Sequence, residues 1–89
     1  MQGFKYTNLV GAATTTIKSG AGVLHSVSVN TKGASATAQI WDKTSAAGTK
    51  IGLIDITLAQ DTLIYDCQFQ TGLTIVVTGT LSDLTVAWL

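Results

Sequence analysis

The side chains able to carry acid–base, nucleophilic or metal chemistry are few: aspartates at 42, 55, 61, 66 and 83, no glutamate, the single histidine His25 and the single cysteine Cys67. Two carboxylates do acid–base work only at a defined separation inside a pocket, and nothing in the spacing of these five supplies one. Asp42, Asp61 and Asp83 fall in turn-like stretches, where an aspartate caps the backbone with its own side chain. Asp55 and Asp66 fall on the polar side of strand-like runs, where they can pair with each other or with a lysine. A Ser–His–Asp arrangement needs a serine on a strained, exposed turn with a base in reach. His25 instead lies mid-strand, with Ser26 and Ser28 directed to the opposite face. A metal would need further ligands, and there is no second histidine and no Cys–His spacing. His25 therefore reads as a histidine hydrogen-bonded within the core or an interface. Cys67 reads as a small buried hydrophobe, and being alone it excludes an internal disulfide. The glycines are scattered singly and form no phosphate-cradling loop. These residues imply no catalytic, cofactor or metal site, hence a protein that is not an enzyme.

The elements that hold these side chains read as strands throughout. The clearest runs over 23–31, with Val23, His25, Val27 and Val29 on one face and Leu24, Ser26, Ser28 and Asn30 on the other, a period of two. Asn30-Thr31-Lys32-Gly33 follows as a turn. Ala36, Ala38 and Ile40 then alternate with Thr37, Gln39 and Trp41. The stretch 42–50 is a longer polar connection. Beyond it Ile54, Ile56 and Leu58 alternate with Leu53, Asp55 and Thr57, ending in a turn at Ala59-Gln60-Asp61. Leu63, Tyr65, Cys67 and Phe69 alternate with Ile64, Asp66 and Gln68; Leu73, Ile75 and Val77 with Thr74, Val76 and Thr78; Leu84, Val86 and Trp88 with Thr85, Ala87 and Leu89. Ahead of these, the β-branched run Thr14–Lys18 is a lead-in strand, and 1–8 has no sustained period. Seven to eight short strands with regular turn signals specify an all-β protein, a small antiparallel β-sandwich of jelly-roll-like topology, with an immunoglobulin-like sandwich as the alternative. The expected division is an N-terminal arm and lead-in strand over 1–18 and a single β-sandwich domain over 19–89.

Composition bounds the partners. In 89 residues the hydrophobic fraction is 46% and the charged fraction 11%, against about 25% charged in an average domain, and mean hydropathy is +0.39. So small a domain with so much apolar and so little charged surface is expected to bury it against other chains. Net charge is zero, so no basic patch exists to neutralise phosphates, and nucleic acid is not an expected partner. No apolar run approaches the length of a membrane helix, and residues 1–16 do not have the pattern of a signal peptide. Synthesis in a cytoplasm and no membrane partner are the expectations. Phe4 and Tyr6 are the aromatic anchors of an arm that could dock on a neighbour. Trp41, on the polar side of its strand, and Trp88, at the end of the last strand, complete the interface candidates. A second use for Trp41, Trp88 and Tyr65 would be a platform for a glycan.

The stretch GAGVLHSVSVNTKGASATAQIWDKTSAAGTKIGLID resembles a recurring pattern of small tailed-bacteriophage virion proteins, in which an SGAGVLHS start leads to a VNTKG turn, then DKTSAAGT, then an extended run. The later TGLTIVVTG and DLTVAW are similar to the closing strands of that family. Together they span Ser19 to the C-terminus; the first eighteen residues lie outside the likeness. The resemblance implies a jelly-roll-like sandwich on the capsid exterior, acting as a decoration (cement) protein. It implies assembly as a homotrimer at junctions between capsomers, with the major capsid protein as partner and a virion location after synthesis in the host bacterium. The base of a head fibre or spike, bound to another fibre protein, or a tail-associated protein with a host glycan-binding role, is the alternative that the resemblance leaves.

Overall fold

A computed structural model describes residues 3–57, 62–79 and 82–89. These form eight strands: β1 (Lys5–Val10), β2 (Ala13–Ser19), β3 (Gly22–Thr31), β4 (Thr37–Asp42), β5 (Thr49–Asp55), β6 (Thr62–Phe69), β7 (Gly72–Thr78) and β8 (Asp83–Trp88). The turn expected at Ala59-Gln60-Asp61, and Leu58 before it, lie outside the described residues, as do Met1 and Gln2.

The strands make two four-stranded antiparallel sheets, ordered β1-β8-β3-β6 and β2-β7-β4-β5. Pairings β4–β5, β3–β6, β2–β7 and β1–β8 are those of one long antiparallel ribbon folded at the β4–β5 hairpin. Rolling that ribbon adds the contacts β3–β8 and β4–β7. Every connection except β4–β5 therefore crosses from one sheet to the other, which makes this a jelly roll and not an immunoglobulin-like sandwich. The result is a slab of 33 × 31 × 16 Å measured over Cα atoms, its thin dimension set by two sheets stacked face to face.

Inward residues of the two sheets interdigitate into one core that includes Leu9, Leu24, Val27, Ile40, Phe69, Ile75, Leu84 and Val86. The period of two places β4 to β8 correctly: Ala38, Ile40, Ile54, Ile56, Leu73, Ile75, Val77, Leu84 and Val86 point in, while Leu53 and Ile64 point out. The face expected for β3 needs correction. Leu24 is fully buried and Val27 and Val29 follow it inward, whereas Val23 and His25 lie outside the core. The cause is a β-bulge: the register against both β6 and β8 slips between Leu24 and Ser26, so one extra residue resets the alternation. Asp66 on β6 sits opposite the bulge at φ 45°, a left-handed conformation that aspartate tolerates better than most residues.

A second correction concerns the N-terminus. The expected arm over residues 1–8 is from Lys5 onward an edge strand, β1, hydrogen-bonded along β8 from Lys5↔Trp88 to Val10↔Asp83. The expected lead-in strand is β2, paired with β7. The sandwich thus begins at Lys5, and a domain starting at 19 would lack one edge strand of each sheet.

Two glycines admit close contacts that a side chain would block. A Cβ on Gly22 would stand 2.6 Å from Phe69 Cζ, the ring that fills the core beneath it. On the inward side of β5, a Cβ on Gly52 would stand 2.6 Å from Tyr65 Oη; the bare backbone lets Tyr65 of β6 reach across the sandwich margin.

Candidate functional site

The surface that could engage a partner is built from the edge strands and from one loop-bearing end. At that end the connections β2–β3, β4–β5 and β6–β7 meet the two termini. The carboxylate of Asp42, closing β4, accepts hydrogen bonds from the backbone N–H groups of Gln70 (3.0 Å), Thr71 (2.8 Å) and Gly72 (3.3 Å). Those bonds, Thr71 and Gln70 first, hold its pKa below the ordinary carboxylate value. The Gly20 N–H donates to Thr71 O at 2.9 Å, and Val23 and Leu89 exchange backbone bonds at 2.8 Å. Over the outer face of the β2-β7-β4-β5 sheet, the 43–48 loop folds back so that Thr74 Oγ1 donates to Lys43 O at 2.7 Å and Thr16 Oγ1 to Thr44 O at 3.2 Å. Thr74 is an outward position, yet this lid buries it completely. The polar connection seen in the sequence is thereby a fixed surface feature.

The four interface candidates fall in two places. Phe4 precedes β1 and Tyr6 lies on it, both exposed, Tyr6 at 76% of its maximum. Phe4 stacks flat on His25, centroids 4.2 Å apart, and His25 Nδ1 contacts Asp66 Oδ1. Hence His25 is neither in the core nor isolated: it joins the entry to β1, the bulge of β3 and strand β6 on the outer face of one sheet. Trp88 is half-buried against the core at the same end; its Nε1 donates to Thr7 Oγ1 at 3.0 Å and Lys5 Nζ stands 5.4 Å from the ring. Phe4, Tyr6 and Trp88 are thus grouped around β1. Trp41 is apart, half-buried on the outer face of the other sheet, with Lys50 Nζ 4.9 Å from its ring and its buried Nε1 without a hydrogen-bond partner. Tyr65 faces Gly52 inside the β5/β6 margin, so Trp41, Trp88 and Tyr65 share no common platform.

Asp55 receives the Thr57 hydroxyl and, at 2.9 Å, the Thr57 N–H; these two bonds, the hydroxyl's first, lower its pKa. Asp55 and Asp66 do not pair with each other. Cys67 is a free, half-buried thiol packed against the core, its pKa raised by burial and then by the charges of Asp66 and Asp42. Among the described residues no three His, Cys, Asp or Glu side chains converge as a metal requires, and no helix is long and apolar enough to cross a membrane.

Reading the sequence alone missed the polar network on the outer face of the β1-β8-β3-β6 sheet. Asn8 Nδ2 donates to Asp83 Oδ1 at 2.6 Å and to Leu84 O at 2.9 Å; Asn30 Nδ2 donates to Asp83 Oδ1 at 3.2 Å and to Thr85 Oγ1 at 2.8 Å. Its members come from three strands far apart in the chain, and outward Asn and Thr on alternating positions were the only signal available. The chain matches no protein-family model, no curated protein and no solved structure.

Proposed function

We propose that this chain is a structural virion protein that decorates and stabilises the outer surface of a bacteriophage capsid, associating as a homotrimer and binding the major capsid protein without enzymatic chemistry. The observation that carries the reading is the exposure of Phe4, Tyr6, Val10, Leu53 and Ile64 on a small domain of zero net charge. Such apolar surface is what an obligate assembly buries. The likeness of Ser19–Leu89 to small phage virion proteins supplies the setting, and the jelly roll agrees with the fold that likeness implies. Because β1 is committed to the sheet, the capsid grip is assigned to Gly3 and Phe4 ahead of it and to the 43–48, 20–21 and 70–71 connections at the same end. Many equivalent sites on a shell let avidity across a trimer replace a strong single contact. The test is to add the purified chain to capsids made without its gene. Saturable co-sedimentation with a raised capsid melting temperature is expected; sedimentation of capsids alone would reject the reading.

The alternative, a head-fibre or spike base or a tail-associated protein that contacts a host glycan, is favoured by one observation. Tyr6 stands exposed beside the Asn8–Asp83–Asn30–Thr85 network, a ring next to amide and carboxylate groups of the kind that bind sugar hydroxyls. Glycan-array binding lost in Tyr6→Ala, with no capsid co-sedimentation, would select it.

A further inference from the structure

Zero net charge on this chain does not mean an even spread. Its cations are lysines at 5, 18, 32, 43 and 50, with no arginine, and the fold carries all of them except Lys32 to the loop-bearing end. Lys5 opens β1 opposite Trp88, which closes β8. Lys18 precedes the last residue of β2, and the Lys18 and Lys43 carbonyl oxygens would each stand 3.0 Å from a Cβ on Gly72, where β7 begins. Lys50 pairs with Trp41 beside the Asp42↔Thr49 closure of the β4–β5 hairpin. Lys5, Lys43 and Lys50 are exposed and Lys18 is half-buried. Among the described residues none of them forms an ion pair; the one such contact joins His25 and Asp66. The Trp88 and Trp41 rings near Lys5 and Lys50 position each ammonium without cancelling its charge. Asp42, the acid at this end, turns its carboxylate onto the backbone N–H groups of residues 70–72. The far end holds Lys32, just past β3, with Asp55 closing β5 and Asp83 opening β8. The slab measures 33 × 31 Å across its broad dimensions, several times the ~8 Å over which physiological salt screens charge. A partner arriving at the loop-bearing end therefore meets a cationic surface.

We infer that the loop-bearing end is a cationic docking surface for the acidic face of another protein. The inference rests on the part of the proposed function that sets this end against a partner, and adds the charge that the partner must carry. The layout of the end favours a protein over a polyphosphate. Lys5, Lys18 and Lys50 lie on the edge strands β1, β2 and β5, and Lys43 lies in the loop over the outer face of one sheet. Between them stand exposed residues without charge, Gly20, Ala21 and Thr71, with Phe4 exposed at the same end. A centre free of charge inside a charged rim is the usual anatomy of a protein–protein contact. Nucleic acid is instead followed by a continuous track of cations and gripped by the forked guanidinium of arginine, and neither is present here. Rim lysines of this kind steer the encounter and make it depend on salt.

The test measures binding of the full chain to poly-L-glutamate by titration calorimetry. The wild type is expected to bind, about tenfold more weakly at 200 mM than at 50 mM salt. Lys18→Gln with Lys43→Gln should raise the dissociation constant about tenfold. Lys5→Gln with Lys50→Gln should do the same, so that if a lowered Tm disqualifies one pair the other decides. Lys32→Gln, at the far end, should change binding by less than about twofold. No binding of the wild type at the lower salt, or an equal loss in Lys32→Gln, would overturn the cationic surface. Tighter binding to a DNA duplex or to phosphatidylserine vesicles than to poly-L-glutamate would overturn the choice of a protein partner. Co-sedimentation with capsids made without the gene separates this inference from the capsid reading. Capsids bound equally by the wild type and by the lysine variants would keep the capsid reading and overturn the inference. Binding to poly-L-glutamate without binding to capsids would do the reverse.

Discussion

Removing the Asp42 carboxylate should unfasten the loop-bearing end of the sandwich, and the loss should depend on pH. In Asp42→Ala the N–H groups of Gln70, Thr71 and Gly72 lose a charged acceptor at 2.8–3.3 Å, and the β6–β7 connection loses its tie to β4. The arrangement is equivalent to a helix cap, in which a short side chain satisfies successive backbone donors. The cost is therefore about 1–2 kcal/mol at pH 7, toward the low end because solvent screens a partly exposed carboxylate. For a domain of this size that corresponds to a fall in Tm of about 5–12 °C. Since folding lowers the Asp42 pKa, its contribution is complete above the unfolded-chain value of about 3.9 and is lost as pH falls through the lower folded value. The gap between wild type and Asp42→Ala, measured by calorimetry or urea titration from pH 7 to pH 2, should therefore narrow at the acid end. Asp42→Asn, which keeps an acceptor oxygen without the charge, should lie between the two at pH 7. A Tm within 1 °C of wild type, or a gap that stays constant across the pH range, would refute the clamp.

Other perturbations separate core, lid and bulge. Phe69→Ala empties the space under Gly22 and should cost about 3–5 kcal/mol, read as a collapse of the urea midpoint. Gly79→Ala adds a Cβ 2.5 Å from Ala36 Cα on a backbone at φ +99°; thermal melting should show a clear loss there and almost none for Gly3→Ala, where nothing lies within 4 Å. Thr74→Val removes the bond to Lys43 O and should cost about 1 kcal/mol while exposing the 43–48 loop to limited proteolysis. Asp66→Asn keeps a residue that tolerates positive φ and should melt near wild type; Asp66→Val, β-branched at φ 45°, should be markedly less stable.

Much of this architecture is legible from the residues because strands that bury one face write that fact at every second position. Ile40, Ile54, Phe69, Ile75 and Val86 could be assigned inward on that ground alone. Strand β3 shows where the rule ends: Val23 and His25 share the parity of Val27, but one extra residue at the bulge turns them outward, and a bulge without glycine leaves no local mark. Strand β1 escaped for a related reason. Its outward residues Tyr6 and Val10 are apolar like its buried Leu9, so no alternation appears. The Asp42 clamp and the Asn8–Asp83–Asn30 network join residues 28 to 75 positions apart; only the rolled ribbon brings them together. Phe4 and Tyr6 could be named as partner-facing aromatics from sequence, but their grouping with His25 and Trp88 depends on β1 lying beside β8.

The proposed capsid-decorating assembly is tested most directly by cryo-electron microscopy of virions produced with and without this chain's gene. The account predicts that the deletion removes density of trimeric, jelly-roll shape from regularly repeated sites on the outer capsid, with the loop-bearing end against the shell. Density lost only from the tail or from isolated spikes, or two identical reconstructions, would contradict it.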